Sequence, residues 1–284
     1  MSDLNLIKEL REKTGAGFLD CKNALKESNN DINLSIDSLR KKGLAKANKK
    51  SSREAKEGAV GFFCNENMSV ILKINSETDF SAKSDTFLDF VDYLGDLAIK
   101  ANDYNLDLEK FMNYSHNDKT VSDVITEMIA KIGENIIIND LKIIDNKQMN
   151  LNYYIHNPYR KNIGKIVSSV FYESDEENTT IQNFSKNLCM HIAASKPEAM
   201  DIEQLPSNIV DNEKKIQKEM IKDSGKPSNV MDKILEGKMK KFFSEVTLLN
   251  QSFVIDPDKN VKDAINDFNS SNKFVLKDYM FVSL

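Results

Sequence analysis

Few of the residues that usually build metal, redox or phosphate sites occur in this sequence: three cysteines, three histidines and ten glycines among 284 residues. The cysteines are an odd number, lie far apart and form no CxxC pair, which indicates buried, reduced thiols rather than a disulfide framework. His116, His156 and His191 are isolated and belong to no ligand-type pattern. We therefore expect no metal ion and no cofactor, and we interpret His191 as a partly buried histidine whose hydrogen bonds are satisfied.

Motifs of nucleotide binding and nucleophilic catalysis are missing as well. The sequence has no GxxxxGK[ST] loop, no GxGxxG after a predicted strand and no GxSxG elbow. It has no apolar run near the roughly 18 residues that a membrane span needs, and its first residues resemble neither a secretory signal nor a transit peptide. We therefore expect a cytoplasmic protein that is not an enzyme and binds neither nucleotide nor membrane directly.

Charge is distributed unevenly along the chain. Residues 1–57 hold 13 basic and 9 acidic side chains, whereas the whole chain has a net charge of −5. The basic excess is concentrated between Arg40 and Lys56, which permits nucleic-acid binding. Because no aromatic residues are interleaved to stack on bases, a solvated linker that attracts an acidic protein surface is the favoured interpretation. We therefore expect no direct binding of nucleic acid.

The N-terminal residues show the apolar periodicity of three short helices. The first is predicted over Leu4–Lys13, the second over Phe18–Ser28, and the third from Ile32 to near Gly43. Such a small bundle has no room for a deep pocket and is typical of a docking module. The segment 45–58 is rich in lysine, alanine and serine, and we interpret it as a linker with helical tendency.

Two similar patterns of a hairpin and a helix follow. Apolar, partly β-branched runs predict a hairpin between Val60 and Ile74, ahead of an amphipathic helix over Phe87–Ala101. A second hairpin is predicted within Tyr153–Tyr172, ahead of a helix over Ile181–Ala194. The repetition indicates two related core subdomains.

Two long, charged segments, Ile209–Asp223 and Ser228–Val246, predict a helical hairpin that reverses at Ser224–Pro227 and could self-associate. A strand over Phe253–Ile255, a helix and a closing strand complete the pattern. The predicted fold class is α+β: an N-terminal three-helix bundle, two related α/β subdomains with antiparallel sheets, and a projecting helical hairpin. The predicted domains are 1–55 for the bundle and basic linker, 56–140 for the first subdomain, 141–199 with 249–284 for the second, and 200–248 for the inserted hairpin.

An Asp-Phe pair, Asp79-Phe80, lies where a predicted buried strand turns into a helix. Turns of this kind often carry function. Phe80 is either packed into the core, which the residues alone favour because phenylalanine is commonly buried, or offered to a partner.

Five blocks of the sequence resemble the signatures of the elongation factor Ts family. They are Lys8–Leu25, Thr78–Lys83, Lys131–Ile136, His191–Glu198 and Ser224–Pro227. Any one block is a weak signal, but five in family order across most of the chain are highly specific. Members of the family commonly have a further C-terminal helical module, which we do not expect within these 284 residues, so the contacts of that module with a partner are not expected either.

The resemblance implies a guanine-nucleotide exchange factor that binds elongation factor Tu in its GDP-bound and nucleotide-free states. The bundle is then expected to be similar to a ubiquitin-associated fold and to dock on the partner's G domain through Lys8, Arg11, Phe18 and Leu19.

The same resemblance implies roles for two further groups of residues. The segment Thr78, Asp79, Phe80 and Ser81 is expected to dislocate the partner's Mg²⁺, with Phe80 inserted into the G domain and Asp79 fixing the approach. The second core subdomain is expected to hold the partner's far domain through His156, Val254 and Ile255. Two alternatives remain open at this point: a nucleic-acid-binding protein that uses the bundle and its basic segment, and an enzyme with a site between the core repeats.

Overall fold

The structure is a computed structural model that describes residues 3–222 and 227–284. The chain folds into two compact units, the first from residues 1–147, 157–166 and 282–284 and the second from 148–156 and 167–281. The helices and strands before residue 147 are α1 (Asp3–Thr14), α2 (Phe18–Glu27), α3 (Ile32–Lys50), β1 (Glu57–Cys64), β2 (Met68–Ser76), α4 (Asp79–Ala82), α5 (Asp85–Ala101), α6 (Leu108–Asn113), β3 (Ser115–His116), β4 (Lys119–Thr120), α7 (Val121–Ile132) and β5 (Ile137–Asp145).

The remaining elements belong mainly to the second unit, although β6, β7 and β10 contribute residues to both. They are β6 (Asn150–Arg160), β7 (Ile163–Ser174), α8 (Thr179–Ser195), α9 (Ser207–Lys222), α10 (Ser228–Val246), β8 (Ser252–Phe253), β9 (Asp256–Asn260), α11 (Val261–Phe268) and β10 (Phe274–Ser283).

The first three helices form a bundle around a small apolar cluster. Its buried members are Ile7, Leu10, Cys21, Ala24 and Leu25. The tight turn between the first two helices includes a glycine with a positive φ of 66°, a conformation that glycine adopts without steric strain. A core of this size leaves no space for a deep internal site within the bundle.

The predicted end of α3 near Gly43 is wrong, because the helix continues to Lys50. Gly43 is buried, and a Cβ at this position would lie 3.4 Å from the Cβ of Ala130. The glycine therefore allows α3 to approach α7 closely, and this packing compensates for its low helix propensity. The following Leu, Ala and Lys residues are good helix formers, so the first part of the predicted linker is helix.

The basic segment pairs with acidic side chains of the same unit. Arg40 lies 2.7 Å from Asp123, and Lys46 lies 3.1 Å from Asp20. Lys42 likewise pairs with an acidic side chain, at 2.7 Å. Acidic side chains of this chain therefore pair with three cations of the basic segment, which the charge pattern predicts to attract an acidic protein surface.

An antiparallel sheet forms the centre of the first unit. β1 pairs with β2 from Glu57↔Ser76 to Cys64↔Ser69, and β2 pairs with β5 with a bulge after Lys73. Helix α5 contacts both β1 and β2. Its buried face consists of Phe87, Leu88, Phe90, Val91, Leu94, Gly95, Leu97 and Ala98. β1 and β2 are buried along most of their length, which explains their continuous apolar runs.

The second unit repeats the order of strands and helix. β6 pairs with β7, and the 17-residue helix α8 follows, as the 17-residue α5 follows β1 and β2. Both helices end at a left-handed residue, Asn102 after α5 and Lys196 after α8. The core of this unit contains a stack of Tyr172 on Phe274, with ring centroids 4.7 Å apart.

Helices α9 and α10 pack on each other through an apolar cluster of their own. Ile221, Leu235 and Met239 are its buried members. Pro227 lies directly before α10, whereas the predicted reversal at residues 224–226 lies outside the described residues. The predicted pair of helices is thus confirmed, with α9 beginning at Ser207.

The α+β class with an N-terminal bundle and an antiparallel core is confirmed. The domain limits given above stay a prediction. Several short elements were not predicted, among them α4, α6, β9 and the two-residue strands β3 and β4. The prediction of three buried thiols is wrong for Cys64, which is exposed at the end of β1.

Among the described residues, none of the helices is long and apolar enough to cross a bilayer.

Candidate functional site

The predicted turn at Asp79-Phe80 is a one-turn helix, α4, between β2 and α5. Thr78 caps its N-terminus, because the Thr78 hydroxyl accepts a hydrogen bond of 3.2 Å from the backbone N–H of Ser81. Ser84 then caps α5 by accepting from the N–H of Phe87 at 3.2 Å. Two successive caps thus fix the backbone on both sides of α4.

Phe80 points away from the core of the first unit. Its relative exposure is 85%, the highest of the large hydrophobic side chains in the described part of the chain, whereas Ser81 and Ala82 are buried at 7% and 0%. The interpretation of Phe80 as a core residue is therefore wrong. With the next two residues directed inward, the short helix leaves Phe80 in solvent, and a fixed aromatic ring in solvent is typical of a binding hot spot.

Asp79 forms an ion pair on the surface of α4. Its carboxylate lies 2.9 Å from the Lys83 ammonium, one turn further along the chain. The hydrogen bond from Lys83 lowers the pKa of Asp79, and the same contact raises the pKa of Lys83. Both side chains are exposed, so the pair orients the carboxylate more than it stabilises the fold.

A second carboxylate, from Glu134, contacts the backbone immediately before α4. One oxygen of Glu134 accepts from the N–H groups of Glu77 and Thr78, at 3.1 and 3.0 Å. The other oxygen accepts from the Thr78 hydroxyl at 2.7 Å. We name this set of contacts the Glu134 cluster. The sequence reasoning assigned no role to Glu134, and its only signal was membership of the block Lys131–Ile136 that resembles a family signature.

The four predicted docking residues of the bundle are all exposed. Lys8 and Arg11 lie three residues apart on α1, so they share one helix face. Phe18 and Leu19 begin α2 and are 46% and 67% exposed. They are available to a partner as a mixed charged and apolar surface, and their roles stay a prediction.

The predicted binding residues of the second unit lie in two places. His156 is exposed on β6, and its Nδ1 lies 3.1 Å from the Tyr154 hydroxyl. Val254 and Ile255 do not extend a strand as predicted. They form the turn between β8 and β9 and are 48% and 49% exposed.

His191 supports that turn from beneath. It is fully buried; its Nε2 lies 3.0 Å from Gln251 Oε1, and its Nδ1 accepts from the Val254 N–H at 3.2 Å. Burial lowers the pKa of His191, which favours the neutral ring that this pair of contacts requires. The prediction of a satisfied histidine is confirmed, although the ring is more deeply buried than expected.

The described residues contain no group of three histidine, cysteine or acidic side chains arranged to hold a metal ion. Burial raises the pKa of the Cys189 thiol to about 12, so this cysteine is a core residue and not a nucleophile. Two exposed features stand out among the described residues: the aromatic ring of Phe80 on a capped helical turn, and the exposed side chains of the helical bundle.

Comparison with known proteins agrees with these features. A family model described as Elongation factor TS matches residues 77–282. The chain is 39% identical over 262 residues to Elongation factor Ts of Rhizobium etli, which covers 92% of this chain and 85% of the relative.

Two further relatives extend the comparison to other bacteria. Identity to Elongation factor Ts of Bartonella henselae is 40% over 265 residues, covering 93% of this chain and 86% of the relative. Identity to Elongation factor Ts of Ehrlichia ruminantium is 39% over 265 residues, covering 93% and 91%. The chain therefore belongs to the elongation factor Ts family of translation elongation factors.

Proposed function

We propose that this protein is the guanine-nucleotide exchange factor of elongation factor Tu, which binds the GDP-bound partner, promotes GDP release and allows GTP to bind. The observation that carries the proposal is Phe80, 85% exposed on a helical turn whose ends are capped by Thr78 and Ser84. Family membership supports the same assignment. The proposed location is the cytoplasm, where bacterial translation takes place.

Exchange of this kind needs no covalent chemistry. A factor that binds the nucleotide-free partner more tightly than the GDP-bound partner weakens GDP binding by the same factor. Only contacts that differ between the two states contribute. We therefore propose a protein with no catalytic acid, base or nucleophile and no cofactor, in which surface contacts provide the whole effect.

The segment Thr78, Asp79, Phe80 and Ser81 is proposed to act on the partner's Mg²⁺ and phosphate site. A phenylalanine ring adds both bulk and buried apolar area at a single point. Mg²⁺ is sensitive to such a displacement because it requires nearly ideal octahedral coordination. The Asp79 carboxylate, held by Lys83 at 2.9 Å, is proposed to orient the approach.

The other exposed residues are proposed to hold the partner while the ring acts. Lys8, Arg11, Phe18 and Leu19 form the bundle's contact with the G domain. His156, Val254 and Ile255 form the contact of the second unit with the far domain. In this proposal, the contacts of the bundle and of the second unit, which we call the outer contacts, bind the partner, and α4 promotes the release of GDP.

Nucleic-acid binding is the less favoured alternative. Its main support is the basic segment, but Arg40, Lys42 and Lys46 each pair with an acidic side chain of the same unit. Cations that are already paired release fewer counterions from a phosphate backbone, which weakens the electrostatic term.

The test is co-purification with elongation factor Tu, followed by timed release of labelled GDP from the partner. We expect a stable complex without nucleotide and faster GDP release in its presence. Added GDP or GTP should dissociate the complex, because linkage is reciprocal. Failure to accelerate release from a partner that it binds would refute the proposal. Salt-dependent binding to RNA or DNA in place of the partner would favour the alternative.

A further inference from the structure

Glu134 lies on the loop after α7, more than 50 residues along the chain from the segment that it contacts. Its two carboxylate oxygens receive three hydrogen bonds from Glu77 and Thr78, at 3.1, 3.0 and 2.7 Å. The backbone N–H groups before a one-turn helix have no helical partner of their own. A carboxylate satisfies them well, since hydrogen bonds to an ionised acceptor are about twice as strong as neutral ones.

The Thr78 hydroxyl connects Glu134 to the helix itself. It donates to Glu134 at 2.7 Å and accepts from the N–H of Ser81 at 3.2 Å. The hydroxyl has one donor and two acceptor positions, so both bonds form at once. Glu134 thereby fixes the rotamer with which Thr78 caps α4, and the capped turn fixes the direction of Phe80.

Glu134 is itself held by neighbouring contacts. Gly133 before it is left-handed, with φ of 89°, and its carbonyl accepts a hydrogen bond from the Lys50 ammonium at the end of α3. Asn135 after it donates its backbone N–H to the Glu77 carboxylate at 2.6 Å and its side-chain amide to the Arg53 carbonyl at 2.8 Å. The loop after α7, the end of α3 and the segment before α4 are therefore joined by polar contacts from both sides.

We propose that Glu134 is a positioning residue for nucleotide exchange, which holds Thr78 and α4 so that Phe80 meets the partner in one orientation. The inference rests on the proposed exchange function. It assigns to Glu134 no contact with the partner, since its carboxylate is directed to Glu77 and Thr78. It also gives the end of α3 a second role, as support for the loop that carries Glu134.

A residue that only contributes to overall stability would lower the melting temperature and leave each folded molecule fully active. A positioning residue changes the maximal rate at which the bound complex releases GDP, and affects the concentration at half-maximal rate much less. This difference separates the two roles, because outer contacts set binding whereas α4 is proposed to set release.

The test uses the full chain with Glu134→Ala, Glu134→Gln and the control Glu127→Ala. Glu127 lies on α7 and pairs with Lys119 at 2.6 Å on the surface, away from the Glu134 cluster. Glu134→Ala should slow maximal GDP release about tenfold, since it removes three bonds to a charged acceptor. Glu134→Gln keeps an oxygen that accepts from the backbone N–H groups, and its amide NH2 can donate to the Thr78 hydroxyl, which then accepts from both the amide and the N–H of Ser81. It should therefore recover most of the rate. Glu127→Ala should match the wild type.

Hydrogen exchange of the isolated protein provides a readout that does not depend on the partner. The backbone amides of Glu77, Thr78 and Ser81 should exchange about tenfold or more faster in Glu134→Ala, with core amides of β2 unchanged. In a Phe80→Ala background, Glu134→Ala should slow GDP release little further, because both changes remove the same step.

The outcomes separate the two proposals. If the wild type does not accelerate GDP release, the proposed function fails, and with it the role in exchange, whereas the amides still report whether Glu134 holds α4. If the wild type accelerates release and Glu134→Ala does so equally well per folded molecule, the positioning role is refuted. Unchanged protection of Thr78 and Ser81 in Glu134→Ala would refute it as well.

Discussion

The substitution Phe80→Ala tests whether Phe80 is a contact residue or a core residue, because the two roles predict different losses in the free energy of unfolding. A phenylalanine side chain buries about 200 Å² when fully enclosed, but Phe80 is 85% exposed, so about 30 Å² of its surface is buried. At about 25 cal/mol per Å² that area contributes about 0.8 kcal/mol. Alanine has the higher helix propensity by about 0.5 kcal/mol, which offsets most of the loss. We expect the free energy of unfolding to change by less than about 0.5 kcal/mol.

Nucleotide exchange should respond far more strongly. An aromatic hot spot contributes at least about 2 kcal/mol to a contact, and about 1.4 kcal/mol corresponds to a factor of ten. Phe80→Ala should therefore slow GDP release from elongation factor Tu at least about tenfold. The assay is release of labelled GDP at saturating protein, together with a melting curve of the same preparation.

Two control variants calibrate this experiment. Phe87 is fully buried, so Phe87→Ala should reduce the free energy of unfolding by about 3–5 kcal/mol. Tyr104 is outside the site and only 40% exposed, so Tyr104→Ala should reduce the free energy of unfolding but leave GDP release per folded molecule unchanged. Chelation of Mg²⁺ should narrow the difference between the wild type and Phe80→Ala, since the ion that the ring is proposed to displace is then absent.

If Phe80→Ala melts at a much lower temperature yet accelerates GDP release from elongation factor Tu normally per folded molecule, Phe80 is a core residue and its proposed contact with the partner is wrong. If Phe80→Ala slows GDP release equally with and without Mg²⁺, Phe80 still contacts the partner, but displacement of Mg²⁺ is not part of the mechanism.

Three further predictions concern other parts of the chain. A chain that starts near Glu57 should stay folded and lose most exchange activity, as circular dichroism and GDP release would show; full activity would disprove docking by the bundle. Replacement of residues 207–240 by a flexible linker should leave GDP release within a few-fold, because α9 and α10 pack in their own cluster; a loss of activity in a folded variant would contradict this. The lowered pKa of His191 means that its stabilisation is complete above about pH 6.5 and decreases as the pH falls below that value. Urea unfolding at about pH 7.5 and about pH 5.5 should then show a smaller pH effect for His191→Gln than for the wild type; equal effects would exclude the ring as the cause.

Long periodic segments were predicted well from the sequence because one pattern determines each of them. The helix predicted over Phe87–Ala101 is observed as Asp85–Ala101, since its apolar face lies within the segment and its polar cap, Ser84, lies directly before it. The end of α3 was predicted wrongly because it depends on a distant element. Considered alone, Gly43 indicates the end of a helix. The close packing of Gly43 against Ala130 of α7 explains why the helix continues.

The candidate site also contains features that depend on residues distant in the sequence and that local patterns therefore do not predict. Asp79 and Phe80 were found because a strand signal and a helix signal surround them. The exposure of Phe80 was not predictable from the residues alone, since it depends on which way a four-residue helix is rotated. Glu134 could not be found by local reasoning at all, because its role is created by a turn that lies more than 50 positions earlier in the chain.

An exposed aromatic ring can displace groups of a partner only if the backbone that carries the ring is held in place. A four-residue helix is unstable by itself, because the nucleation of a helical turn is unfavourable, and a mobile Phe80 would lose on binding the entropy that it has when free. The structure holds the turn with the Thr78 cap, the three bonds to Glu134 and the cap of α5 at Ser84. These contacts lie within the factor and form before it meets its partner. The ordering of α4 is therefore completed during folding, so more of the contact free energy of Phe80 remains available for the proposed displacement of the nucleotide.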